Sequence, residues 1–417
     1  MKSIFVCLLL CVSQISAAAE QAEQIFKQLA PSLYQIRLID KASGEKSSIG
    51  SGFQISADGL IATNYHVVSG FANYPNKYRI EYLDNQGNKA PLRLMSVDVI
   101  NDLAIVKRTQ THDMPYFNIA TQTPIKGEQL YSLGNPHDLG MIVVPGTYNG
   151  LKIESFNDRI HFTGSINPGM SGGPVVNAQA DVVGINVATS GNQMGFLVPH
   201  DKLVALYQAF QQHPPKNIKQ QITHQLHENQ AKLVSTLLKS QWQLKQLGPA
   251  MVPIIQAPFI RCWGESNADK PDAIALAVVA NCALEEDTYI HSHFDTDTVE
   301  MEFKYLKSKK LSDLKFYHIY QQHISRAGPG NKASKEDVTE YQCHHDLVNA
   351  GADKITTKSI FCTRAYKKFP NLFDVLYIGA SVDKDDQALV SHFTLSGVTE
   401  KSAMAFTRKF MESISWK

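Results

Sequence analysis

An all-β body, then a helical stretch, then a second body of mixed α and β character are predicted along these 417 residues. Three observations predict this order. Across residues 30–200, many short apolar runs alternate with Gly-, Asn- and Pro-containing turns and helical spacing is almost absent, which is the signature of a barrel or sandwich. Across 201–250 the apolar residues change to a spacing of three and four, the mark of helix. Beyond 250, strand-like runs return, closed by a helical pattern over 400–413.

The elements follow in order. Met1-Lys2, an apolar run over 4–12 and Ala17-Ala18-Ala19 have the layout of a secretory signal peptide, with cleavage expected after Ala19. The run is too short to span a bilayer, and no later stretch reaches spanning length. Residues 21–29 read as a short helix and 33–39 as a strand. Residues 50–55 and 60–63 read as two strands joined by a tight turn at Asp58-Gly59, and His66 follows. Residues 92–99 alternate, and Asp102 stands at the mouth of the apolar strand 103–106. Residues 129–134 and 141–146 flank a Gly-Asn-Pro turn, and 181–188 with 194–199 read as a hairpin. Between them lies Ile166-Asn167-Pro168-Gly169-Met170-Ser171-Gly172-Gly173-Pro174, a serine in a glycine run. Such a turn can expose a hydroxyl and aim the N–H groups of Gly169 and Ser171 at one point, where they would stabilise an oxyanion. Serine is a weak nucleophile alone, so this reading needs a base and a group to orient it.

Residues 203–210 have helical spacing that Pro214-Pro215 ends. A Gln-rich stretch then sets Ile218, Ile222, Leu226, Leu233, Leu237 and Leu244 on one broad face up to Gly248-Pro249, a helix of about 45 Å. It reads as a connecting helix, with a trimer-forming role left open. In the last body, strands are expected at 254–262, 274–279, 299–305, 341–348, 355–364, 375–381 and 389–395.

Net charge is +1 with 19% charged residues, so nothing marks a nucleic-acid partner or an anionic surface. Once the signal is removed, four cysteines remain, and an even number in an exported chain points to disulfides. Cys343 and Cys362 fall nearly opposite each other on strands around an Asn-Ala-Gly-Ala-Asp turn. Cys262 and Cys282 pair by elimination, although a simple hairpin around 264–271 is not expected to join them. Cys343-His344-His345-Asp346 is not read as a metal site, since neighbouring histidines on a strand face opposite ways. No metal and no cofactor are implied.

The pieces GSGFQIS, DGLIATNYHVV, NDLAIVK, YSLGNP, INPGMSGGPVVN, VVGINVA and MGFLVP resemble, in order, a trypsin-like serine protease of the HtrA/Deg type over about residues 50–200. The resemblance implies two six-stranded antiparallel barrels over 20–200, with the site in the crevice between them. It implies Ser171 as nucleophile, His66 as general base and Asp102 as its orienting partner. Gly169 and Ser171 would supply the oxyanion hole. Val187, Ala188 and Thr189 would pair with the substrate backbone, and Ile166 would stand at the specificity pocket, favouring a small or medium apolar side chain. Gly169-Met170-Ser171-Gly172-Gly173 also fits the G-x-S-x-G elbow of α/β-hydrolases. There, however, a helix follows the serine and the histidine comes last. Residues 251–417 depart from the HtrA pattern, which expects a PDZ domain, and read as an α+β domain of open role.

The resulting expectation is an exported serine endopeptidase acting on polypeptides, without a membrane span, with a homo-oligomer left open. The second reading is a protease-like scaffold or holdase whose C-terminal domain binds the partner.

Overall fold

The computed structural model describes residues 20–109, 115–189, 191, 194–350 and 355–416. The expected signal peptide and the turn over 351–354 lie outside the described residues. The chain divides into two compact units, one holding residues up to 152 with 157–222, the other 153–156 with 223–417.

In the first unit a helix, α1, covers residues 20–29. Six strands follow: β1 (Leu33–Asp40), β2 (Lys46–Gln54), β3 (Leu60–Thr63), β4 (Tyr78–Leu83), β5 (Lys89–Asp98) and β6 (Leu103–Arg108), with helix α2 (Tyr65–Asn73) after β3. They close into a barrel in the order β1-β2-β3-β6-β5-β4. A second closed barrel is built from β7 (Gln129–Gly134), β8 (Ile142–Leu151), β9 (Ile160–Thr163), β10 (Pro174–Val176), β11 (Val182–Thr189) and β12 (Met194–Pro199), ordered β10-β11-β12-β9-β8-β7. All pairings in both are antiparallel, as short strands joined by tight turns require.

The two barrels share one apolar core. Leu33, Phe53 and Ile105 from the first meet Leu133, Val176, Ile185 and Val198 from the second. Helix α3 (His200–Gln212) covers this seam with Leu203 and Leu206. Burying an aliphatic side chain of this kind contributes about 1.5–3 kcal/mol, so the seam between the two barrels is firmly held.

The expected helical connection over 201–250 divides between the two units. α3 belongs to the barrel unit. α4 (Ile218–Lys239) spans 22 residues, about 33 Å, and its later turns bury Leu233, Val234 and Leu237 in the second unit's core. It stops short of the expected end because Gln241–Leu247 is strand β13, on which Leu244 is exposed. A helical face drawn through Leu244 therefore joined residues from two different elements.

The second unit contains β14 (Ala250–Gln256), β15 (Ile260–Ser266), β16 (Ala275–Leu284), the short ribbon β17 (Thr288–His291) and β18 (Phe294–Thr296), and β19 (Val299–Ser308). After helix α5 (Asp313–Ser325) come β20 (Gln342–Ala350), β21 (Ile355–Ala365), β22 (Phe373–Ser381), β23 (Gln387–Val398), helix α6 (Glu400–Glu412) and β24 (Ser415–Trp416). β13, β14 and β24 form a three-stranded sheet; β15-β16-β19-β23-β22-β21-β20 form a seven-stranded one. Val299, Met301, Phe303 and Tyr305 alternate with half-buried polar residues along β19, the period of two that puts one face into the core. Thr399 caps α6 by accepting from the N–H of Ser402, and Phe406 and Phe410 meet Phe393 ring to ring. On the opposite face α5 buries Phe316 and Tyr320 against Leu306 and Val390.

Each disulfide joins directly opposed residues of paired strands: Cys343–Cys362 across β20 and β21, and Cys262–Cys282 across β15 and β16. The second corrects an expectation. A hairpin does unite Cys262 and Cys282, because β15 continues through Gly264 to Ser266 and the loop turns only after it.

Candidate active site

His66 leaves β3 in the first turn of α2, a helix the Val-rich stretch does not announce. The N-cap of α2, Asn64, makes no capping bond of its own. Asp102, from the loop between β5 and β6, supplies that function from a distance. Its Oδ1 accepts the backbone N–H of His66 (2.8 Å), and its carbonyl accepts Asn64 Nδ2 (2.8 Å) and the N–H of Tyr65 (3.2 Å). A negative charge at a helix N-terminus also favours the macrodipole. The second carboxylate oxygen lies 2.7 Å from His66 Nδ1. Facing an acceptor, Nδ1 carries the proton, which leaves Nε2 with the lone pair.

Burial opposes charging of this imidazole, but the charge of Asp102 and its hydrogen bond outweigh burial and raise the His66 pKa. Asp102 itself stands at a left-handed φ of 60°. Asp98 shapes the loop that holds it there. Its Oδ1 accepts the N–H groups of Ile100 and Asn101, and its Oδ2 accepts Asn101 Nδ2.

The serine turn arrives from the other barrel. Gly169 and Gly172 take φ of 96° and 85°, a region that favours glycine. A Cβ on Gly172 would stand 2.3 Å from the Ser51 carbonyl oxygen and 2.4 Å from Thr63 Oγ1, so the turn lies directly on the residues preceding His66. Ser51 of β2 fastens it: its N–H donates to the Ser171 carbonyl (2.7 Å) and its Oγ to the Gly169 carbonyl (2.7 Å). Asn186, wholly buried, accepts from the N–H of Gly172 and donates its own N–H to the Gly173 carbonyl. Asn186, Ser51 and Asp98 were not singled out from sequence. The only available signal was Asp98 three residues before Asn101, the spacing of an Asx turn.

The N–H groups along this turn divide into two sets. Those of Met170, Gly172 and Gly173 donate to Asn167, Asn186 and Met170 carbonyls. Among the described residues those of Gly169 and Ser171 have no protein acceptor. The hydroxyl of Ser171 donates to the Val187 carbonyl (3.2 Å). That carbonyl is available because the β11–β12 register shifts between Asn186 and Ala188, leaving Val187 out of the ladder. Ala188 and Thr189 pair with Phe196 and Gly195. Ile166 is 4% exposed and packs on Gly195 within the second barrel's core, so it does not line an open surface. Among the described residues no group of three or more His, Cys, Asp or Glu side chains could hold a metal ion.

Two closed barrels with His and Asp on the first and Ser on the second define the trypsin-like class, and residues 50–185 match the family model of the trypsin-like peptidase domain. Within that class the domain is similar to proteases of the HtrA/DegP type. The chain is 32% identical over 164 residues to a probable periplasmic serine endoprotease, DegP-like, of Chlamydia pneumoniae, covering 38% of this chain and 32% of that one. It is 30% identical over 244 residues to serine protease HTR4 of Rattus norvegicus, covering 55% and 44%. The chain thus spans less than half the length of these curated relatives. A serine endoprotease structure from Yersinia pestis is 26% identical, covers 46% of this chain and 67% of its own, and has a TM-score of 0.41.

Proposed function

We propose that the protein is an exported serine endopeptidase that cleaves polypeptides through an acyl-enzyme. The observation that carries this is the His66 imidazole held by Asp102 in the tautomer of a base, across from a serine turn with two uncommitted N–H groups. In the reaction the Ser171 hydroxyl, which donates to the Val187 carbonyl in this structure, turns to His66 Nε2. Oγ then attacks the scissile carbonyl carbon as its proton passes to Nε2, and Asp102 stabilises the imidazolium. The oxyanion is received by the N–H groups of Gly169 and Ser171, each worth about 3 kcal/mol in the transition state. Collapse breaks the C–N bond, and the leaving amine takes the proton from His66. Water repeats the sequence, releasing the acid and restoring Ser171.

The backbone of Val187 to Thr189 would pair with the substrate as an added strand. Export is supported by the apolar N-terminal run, the two disulfides and the periplasmic naming of the Chlamydia relative. Ser171→Ala tests the reading. The wild-type protein is expected to cleave casein and to take up a serine-directed phosphonate, and the variant to do neither. A wild-type protein that does neither yet still binds unfolded chains would leave the scaffold reading in place.

A further inference from the structure

The turn between β7 and β8 carries none of the proposed triad, yet it sets the direction of one proposed oxyanion donor. The N–H of His137 donates to the Pro168 carbonyl (2.9 Å). That carbonyl shares a peptide unit with the N–H of Gly169, and in a trans peptide the two point opposite ways. Holding the carbonyl on His137 therefore fixes the Gly169 N–H on the far side. Glycine does not enforce this by itself, since it adopts φ of either sign with little difference. A flip of the Pro168–Gly169 peptide would put a carbonyl oxygen where the donor stood, and that oxygen would repel an oxyanion.

The turn is not self-supporting. His137 and Asp138 both have left-handed φ, 51° and 63°. Non-glycine residues persist there only where their surroundings impose it. Three supports come from the turn's start and interior: Asn135 N–H donates to Ser51 Oγ (2.9 Å), Asn135 Oδ1 accepts from Gly140 N–H (3.0 Å), and Leu139 N–H donates to the Pro136 carbonyl (3.0 Å). Further support comes from the first barrel through Asp138. Gln35 Nε2 of β1 donates to Oδ1 (2.6 Å), and the Lys46 ammonium of β2 pairs with Oδ2. Gln35 is buried, so its position is fixed by the barrel. Lys46 and Gln35 also hold the Asp138 carboxyl below the usual carboxylate range, so the pairing is charged at neutral pH.

We propose that Asp138 is a positioning residue for peptide-bond hydrolysis: through Gln35 and Lys46 it holds the 135–140 turn, and the turn, through His137, keeps the Gly169 N–H turned toward the oxyanion. The proposal rests on the reading of Gly169 as an oxyanion donor. Losing such a donor outright lowers kcat by about 10²–10³. Asp138 biases the donor and does not remove it, so Asp138→Ala is expected to lower kcat on fluorescent casein by roughly tenfold, with KM little changed. Asp138→Asn, which still accepts from Gln35, is expected to fall between the two.

Hydrogen–deuterium exchange gives a readout independent of turnover. In Asp138→Ala the peptides covering 135–140 and 167–172 are expected to exchange faster, while the melting transition of the full chain falls by no more than the few degrees that unpairing the buried Gln35 amide costs. If the wild-type protein hydrolyses nothing, the triad reading fails, and the exchange over 167–172 still decides the clamp. Unchanged exchange there, or a raised KM with kcat intact, overturns the proposal.

Discussion

Ser51→Ala removes one oxygen, and the structure gives the size of the effect. The Ser51 hydroxyl is wholly buried, donates to the Gly169 carbonyl at 2.7 Å and accepts the Asn135 N–H at 2.9 Å. Alanine leaves both backbone groups in place without partners and without water. Each buried polar group so stranded costs about 1–3 kcal/mol, and because the two are neighbours a combined loss of about 2–4 kcal/mol is expected. For a unit of this size that lowers Tm by roughly 4–16 °C. The Ser51 N–H to Ser171 bond survives, so the turn should stay attached and loosen at Gly169. Scanning calorimetry with wild type alongside, and the rate of phosphonate labelling, measure the two consequences. A Tm within a degree of wild type together with an unchanged labelling rate would refute the argument that this hydroxyl fastens the serine turn to the first barrel.

The acid limb of kcat/KM reports the base in the free enzyme. Because the His66 pKa is raised, that limb should lie above the ordinary histidine value of about 6.5. Asp102→Asn leaves burial unopposed, so it should move the limb down while lowering kcat by about 10⁴-fold; a limb that does not move would count against Asp102 as the cause. Gly172→Ala puts a Cβ against the Ser51 carbonyl and Thr63 at a left-handed φ, so soluble yield and labelling should both drop, whereas Gly87→Ala, which meets nothing within 4 Å, should spare labelling. Asp297 is fully buried; burial, opposed by bonds from Thr288 and Asn229, raises its pKa to about 6. The penalty builds as pH rises past the ordinary aspartate pKa of about 3.9, and above pH 6 the folded state carries it in full, about 3 kcal/mol. Asp297→Asn keeps an acceptor for both donors, so it should stabilise the protein against urea at pH 7.5 and give little gain at pH 4; equal midpoints at pH 7.5 would contradict this.

What could be read from the chain was set by where each interaction lives. Strand periodicity and turn glycines mark the barrels because alternation and tight turns are local. His66, Asp102 and Ser171 stand out because their flanking segments are distinctive. Helix α2 was hidden, since its valines and glycine favour other states and its N-terminus is capped by a residue 36 positions away. β13 was hidden because leucines at helical spacing run on past Lys239. Ser51 and His137 act through backbone groups, which every residue carries, so nothing in their identity signals what they hold. The Cys262–Cys282 link was obscured by Gly264, read as a turn although it pairs with Ala280 inside a strand.

The disulfides occupy a telling place in the seven-stranded sheet. β15 and β20 are its outermost members, and each is stitched to the strand beside it. Exposed margins are where a sheet begins to fray and where a foreign polypeptide can zip on. Under oxidising conditions neither hem can peel away alone, so heat must dislodge it together with its neighbour, and a reductant frees both flanks at once without touching the barrels.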